Sequence, residues 1–247
     1  MKVVVVFLAV IAFIICLYLG LHLGGLTGLA ATSTPTVTSI FSPTLTGNQQ
    51  QQTVVLIQAD DLSSSSPRLV GIWLVFYYAD NPKLTLLLLY PSLSENNQVK
   101  DSELGQKFAL TANGDLSPDF LQVLHSYNFH STGTLITDNN ALAHWIDWLG
   151  GIPYHGSPTL LTGSEVVARM PAANPSNLDT GSWMKEVTDG VCTQLNILPA
   201  SANWKNLTNT MQPAHFNTDL NIDGLIANWN NLKNSGEDIS CEVVIPH

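Results

Sequence analysis

The sequence predicts a layered α/β/α sandwich around a central mixed sheet, preceded by an N-terminal membrane-spanning helix. Three observations carry that reading. Short aliphatic and β-branched runs alternate with stretches of helical spacing. A hydrophobic content of 45% over 247 residues suffices for one sizeable core. The chain also opens on a long, uncharged apolar run.

That run extends from Val3 to Leu21 behind Lys2, and as a helix it would reach about 28 Å at 1.5 Å per residue, close to the thickness of a bilayer core. A cleaved secretory signal is the alternative, with Gly28-Leu29-Ala30 as a small-residue processing site. The length of the run and its glycine-rich continuation to Leu29 favour an anchor, and Ile15 before Cys16 lacks the small residue that lipidation needs. Residues 1–30 are therefore read as a signal anchor. Residues 31–52, rich in Thr, Ser, Pro and Gln without a charge, are read as a flexible tether, because they carry too little apolar surface to order themselves. Residues 53–247 form the one remaining domain.

Within it, Thr53 to Ile57, Ile72 to Tyr78 and Leu84 to Tyr90 read as strands buried on both faces. Ser117-Pro118-Asp119 caps a helix running to about Ser126. Asp138 to Leu149 has apolar residues at helical spacing and stops at Gly150-Gly151. Further helices are expected from Thr162 to Ala168, Gly181 to Leu195 and Asp223 to Leu232, with a final strand at Cys241 to Ile245.

Charge sets the compartment and the partners. Lys2 and the amino terminus hold the start of the chain in the cytoplasm, so the expectation is a single-pass protein of the cell membrane with an extracytoplasmic C-terminal domain. All 19 acidic residues but only 8 of the 9 basic ones lie beyond residue 30, a net of −11. That balance argues against nucleic acid and against passive adhesion to anionic lipid, leaving the N-terminal helix as the membrane contact. Cys192 and Cys241 are the cysteines outside the anchor, and an oxidising exterior permits a disulfide, two buried free thiols being the alternative.

Asp147 to Arg169, reading DWLGGIPYHGSPTLLTGSEVVAR, resembles the core signature of the LytR-CpsA-Psr family of bacterial cell-envelope proteins, in which a D-x-L-G-G-[VI] run closes a helix and an L-T/N-G turn opens the next. Other stretches fall in the family's order. Val54 to Asp60 resembles its opening strand, Arg68-Leu69-Val70-Gly71 stands in the place of R-S-D-T, and Asp179-Thr180-Gly181 with Lys185 resembles a weakened D-F-G-R-x-x-R-Q. Thr218-Asp219-Leu220-Asn221 resembles the T-N-L-[ST] segment before the last helix. The resemblance implies a membrane-anchored phosphotransferase that moves a glycopolymer from a polyprenyl pyrophosphate carrier to peptidoglycan, with arginines on the pyrophosphate and aspartates on magnesium. Arginine suits that task because its planar fork binds phosphate bidentately and keeps its proton.

Carried over residue by residue, the resemblance gives Asp60, Arg68 and Lys185 for substrate, Arg68, Asp179 and Lys185 for catalysis, and Asp60 for magnesium. The departures are many. Leu62 replaces an arginine, Val70 an aspartate, Pro91-Ser92-Leu93 a P-R-D strand end, Ser182 another arginine and Glu186 a glutamine, and the chain holds two arginines in all, Arg68 and Arg169. A pyrophosphate among apolar and acidic replacements keeps uncompensated charge, at about 1–3 kcal/mol or more per lost partner. The sequence is therefore read as this fold with a stripped site, needing no cofactor and binding envelope polymer or polyprenyl lipid. An active magnesium-dependent phosphotransferase and a purely structural surface protein are the alternatives. Ser182-Trp183-Met184-Lys185 matches S-x-x-K but reads as a helix with Trp183 turned inward, and His125, His130, His144 and His155 show no metal-ligand spacing.

Overall fold

A computed structural model describes residues 51–78, 81–92, 98–129, 131–154, 159–170, 178–199, 201–211, 214–234 and 236–245. The predicted anchor and the tether up to residue 50 lie outside the described residues. Among those described, no helix is long and apolar enough to cross a membrane.

The centre is a six-stranded mixed sheet. Its strands are β1 (Gln51–Ala59), β2 (Leu69–Tyr78), β3 (Asn81–Tyr90), β4 (Gly133–Asp138), β5 (Phe216–Thr218) and β6 (Ser240–Val244), in the order β5-β4-β1-β2-β3-β6. The first three form an antiparallel meander, β4 lies parallel to β1, and β6 lies parallel to β3. Seven helices are described: α1 (Gln98–Lys107), α2 (Pro118–Ser126), α3 (Asn139–Trp148), α4 (Gly163–Arg169), α5 (Leu178–Ile197), α6 (Trp204–Met211) and α7 (Ile222–Asn234).

Both faces of the meander are covered, which is why its strands read as unbroken apolar runs. Val55, Ile57, Ile72, Leu74 and Leu89 pack against Leu104 of α1 and Phe120, Val123 and Leu124 of α2. On the other face Val70, Trp73 and Leu88 pack against Met184 of α5, with Leu56, Leu86 and Val243 around them. Gln58 pairs with Gly71 but Ala59 with Leu69, so Val70 is an inserted residue. This bulge lets Leu69 and Ile72 share a face although they are three apart.

The expected strands and the expected helices α2, α3, α4, α5 and α7 are present, with β1 starting two residues inside the stretch read as tether and α5 extending to Leu178 and Ile197. Four further elements carry weak sequence signals. α1 is polar and buries only Asp101 and Leu104, β4 is six residues long, β5 is three, and α6 presents Leu207 and Met211 between polar neighbours.

The L-G-G and L-T-G runs act as a clasp. Gly150 and Gly151 close α3 at φ 83° and 95°, a left-handed conformation that suits glycine. The Asp147 carboxylate then accepts the Gly163 N–H at 2.7 Å, Thr162 and Glu165 cap α4 reciprocally, and Ile152 bridges Leu161. A Cβ on Gly163 would lie 1.9 Å from the Ala143 carbonyl oxygen, so α4 approaches α3 through a gap that only glycine leaves.

Cys192 of α5 and Cys241 of β6 form a disulfide, with Cα atoms 6.2 Å apart and a separation of 49 positions in sequence. Closing a loop of that length restricts the unfolded chain by about 4 kcal/mol in the chain-entropy account. A Cys192→Ala/Cys241→Ala variant is expected to lose up to about that much in urea unfolding relative to the oxidised protein.

Asp101 supplies a pH signature. It is 2% exposed, its Oδ2 accepts the Ser92 N–H at 2.7 Å, and its Oδ1 has no partner. Burial pushes its pKa up, against the Ser92 hydrogen bond and the Lys100 charge. The folded protein thus holds this proton more tightly than the unfolded chain, so stability falls as pH rises from about 4, the unfolded value, through the raised folded one. Asp101→Asn keeps an acceptor for Ser92 and removes the ionisation. It is expected to raise the urea midpoint at pH 7 and to flatten its fall above pH 4.

Candidate functional site

β1 and β4 are adjacent and parallel, and the chain leaves them in opposite directions, toward β2 from the first and toward β5 from the second. A crevice beyond the carboxyl ends of such a strand pair is where open α/β sheets bind ligands. The charged groups here come from the loop after β1, the end of β4 and the turn before β5.

Asp60 and Arg68 close the loop after β1. Asp60 Oδ2 accepts from Arg68 Nε at 2.7 Å and Oδ1 from the Arg68 N–H at 2.7 Å, while the Asp60 N–H donates to the Arg68 carbonyl at 2.9 Å. Burial pushes the Asp60 carboxyl up, but the backbone and guanidinium hydrogen bonds from Arg68 outweigh it and hold the pKa below the usual value. The Arg68 side chain is 85% exposed, so the pair itself adds little, about 0–1 kcal/mol.

Asp138 is the buried carboxyl group of the site, with no solvent exposure. Its Oδ1 accepts the Ala141 N–H at 2.8 Å, capping α3. Its Oδ2 accepts the Leu62 N–H at 3.1 Å and lies 2.7 Å from His215 Nδ1. Asp61 stands beside them, and ligand atoms of Asp61, Asp138 and His215 all lie within 4.8 Å of one another. The Ser63 hydroxyl and N–H donate to Asp61 Oδ1 at 2.6 and 2.9 Å, and these bonds, the hydroxyl's first, lower the Asp61 pKa. Chemically this is a fixed carboxylate–imidazole pair with a second carboxylate at hand.

Lys185 has other neighbours. On α5 it pairs with Asp189 one turn on, and it lines a cavity of about 640 Å³ with Pro153, Tyr154, Ser182, Glu186 and Gly190, a wall that includes neither Asp60 nor Arg68. Arg169 lies 5.4 Å from the centre of the Tyr154 ring, and Trp183 turns inward, with its ring 5.6 Å from that of Tyr154. The side chain of Asp179 lies outside the described residues, as do His130 and His155. Of the residues singled out by resemblance, then, the structure joins Asp60 to Arg68 and sets Lys185 in another wall.

No family model matches the sequence, and no curated protein matches it. Solved structures do resemble the fold. Bacillus subtilis TagV superposes with a TM-score of 0.56 at 10% identity, covering 81% of this chain and 87% of that one. TagT bound to LIIa-WTA gives 0.52 at 12% identity over 78% of each chain. The Streptococcus agalactiae protein gbs0355 gives 0.53 at 12% identity over 79% of this chain and 77% of its own. TagT and TagV are LytR-CpsA-Psr proteins.

The fold is LytR-CpsA-Psr-like.

Within that LytR-CpsA-Psr-like fold, Asp138 and His215 are the site residues that sequence reasoning missed. Asp138 ends a strand and starts a helix, a position that marks ligand sites in α/β sheets, yet its N-cap role alone accounts for its place in the sequence. His215 belongs to no motif. Asp138→Ala is expected to cost about 1–3 kcal/mol in urea unfolding, because it strips the α3 cap and leaves the partly buried Leu62 N–H without its acceptor. Arg68→Ala is expected to cost less than about 1 kcal/mol in the same measurement.

Proposed function

We propose that the chain is a membrane-anchored, extracytoplasmic LytR-CpsA-Psr-like domain of the bacterial cell envelope that binds envelope glycopolymer or polyprenyl lipid without transferring it. The fold likeness to TagT, solved with LIIa-WTA and LI-WTA, supports an envelope polymer precursor as the ligand class. The apolar segment from Val3 to Leu21 supports anchoring, and the Cys192–Cys241 disulfide supports an oxidising exterior.

The state of the charged positions carries the non-catalytic part of the reading. Phosphoryl transfer is mostly positioning plus cationic stabilisation of oxygens that gain charge. Both arginines of the chain are engaged, Arg68 with Asp60 and Arg169 on Tyr154. Val70, where the resemblance implies an aspartate, is packed among Trp73, Leu88 and Met184. The magnesium seat implied by the resemblance does not fit these residues. The aspartate expected two residues beyond Arg68 is Val70, an apolar core residue, so Asp60 stands as a single carboxylate paired with a cation.

The full-length protein purified in detergent should carry polyprenyl lipid or lipid-linked glycan, detectable by mass spectrometry of an organic extract. With magnesium it should release no phosphate from a prenyl diphosphate-linked oligosaccharide. Turnover that vanishes in Arg68→Ala would establish the active enzyme instead, and a lipid-free, glycan-free protein would favour a purely structural role.

A further inference from the structure

We infer that Asp61, Asp138 and His215 form a binding site for a divalent transition metal such as Zn²⁺ or Mn²⁺, distinct from the magnesium seat the fold likeness implies and independent of the function proposed above. Three features of the cluster carry this. The donor set mixes one imidazole nitrogen with two carboxylates, a combination suited to Zn²⁺ or Mn²⁺, whereas Mg²⁺ prefers oxygen and water. Its geometry is nearly closed. With metal–ligand distances of about 2.1 Å, two ligand atoms around one ion lie at most about 4.2 Å apart, and the three groups already stand within 4.8 Å. For a tetrahedral ion, whose ligand atoms lie about 3.4 Å apart, the loop carrying Asp61 would need to close by up to about 1.4 Å.

The third feature is orientation. Metal ligands are held by hydrogen bonds behind them, and each carboxylate here is held from the protein side. The Ala141 and Leu62 N–H groups fix Asp138, and the hydroxyl and N–H of Ser63 fix Asp61. The cation would take the place of the proton shared by Asp138 Oδ2 and His215 Nδ1, which would part from 2.7 Å to about 3.4 Å. Two carboxylates and a neutral imidazole present two negative charges, which a divalent ion neutralises beside a carboxylate that has no exposure to water. The His215 side chain is 34% exposed, which leaves the ion a path from solvent.

The test is isothermal titration of the EDTA-stripped, full-length protein in detergent with ZnCl₂, MnCl₂ and MgCl₂ separately. One Zn²⁺ or Mn²⁺ per chain is expected to bind, with Mg²⁺ at least about tenfold weaker. Asp61→Asn, in the loop and away from the core, and His215→Ala should each weaken the transition metal by about tenfold or more. A thermal melt of each variant checks that it is folded, and pulsed electron paramagnetic resonance of bound Mn²⁺ should show ¹⁴N coupling that His215→Ala removes. Absence of stoichiometric binding, affinities unchanged in a folded Asp61→Asn protein, or bound Mn²⁺ without nitrogen coupling would overturn the assignment and leave Asp138–His215 as a structural hydrogen bond.

Discussion

The buried carboxylate of Asp138 is the point on which the strand-end region depends. A charge with no access to water is tolerated only where hydrogen bonds replace its hydration, and Asp138 draws them from three separate parts of the chain: the first turn of α3, the loop after β1 and the turn that leads into β5. One side chain thereby sets the start of a helix, the course of the Asp60–Arg68 loop and the position of His215. Removing it would leave each of those segments to find its own place.

The motif that likens this chain to envelope proteins belongs to a different part of the molecule and does a different job. Gly150, Gly151 and Gly163 are required by backbone angles and by the approach of α4 to α3, and Asp147 spends its carboxylate on a backbone N–H. None of these residues needs a ligand to explain it. Such positions are set by the backbone, whereas the place of an arginine that grips phosphate is set by its ligand. The signature that the chain carries is of the first kind, so it reports architecture and is silent on turnover.

Legibility in the sequence followed the strength of local signals. The meander strands announce themselves as apolar runs, α2 by its cap at Ser117, and α3 by its apolar spacing and its stop at Gly150-Gly151. α1 was invisible because a helix that buries only Asp101 and Leu104 has almost no apolar period to read. β4 and β5 are short and interrupted by threonine and asparagine, and pairing with β1 and with each other makes them strands, a non-local cause. The site was less legible than the fold for the same reason. Asp60 and Arg68, eight residues apart, fall in neighbouring stretches of one resemblance, but Asp138 and His215 lie 77 positions apart and meet only through the sheet order. Lys185, assigned by alignment with a motif, stands in a wall that Asp60 and Arg68 do not share.

The covalent link from α5 to the edge strand has a consequence for how the domain breaks. β6 closes one side of the sheet through hydrogen bonds to β3 alone, and the segment leading to it runs through α6, β5 and α7. Cysteine to cysteine, that whole segment is one covalent ring. A protease that cuts it once, for instance between α6 and β5, opens the ring but leaves both halves on one molecule, and the terminal strand stays seated beside its neighbour. Damage of that kind would show on a reducing gel well before it showed in the shape of the protein.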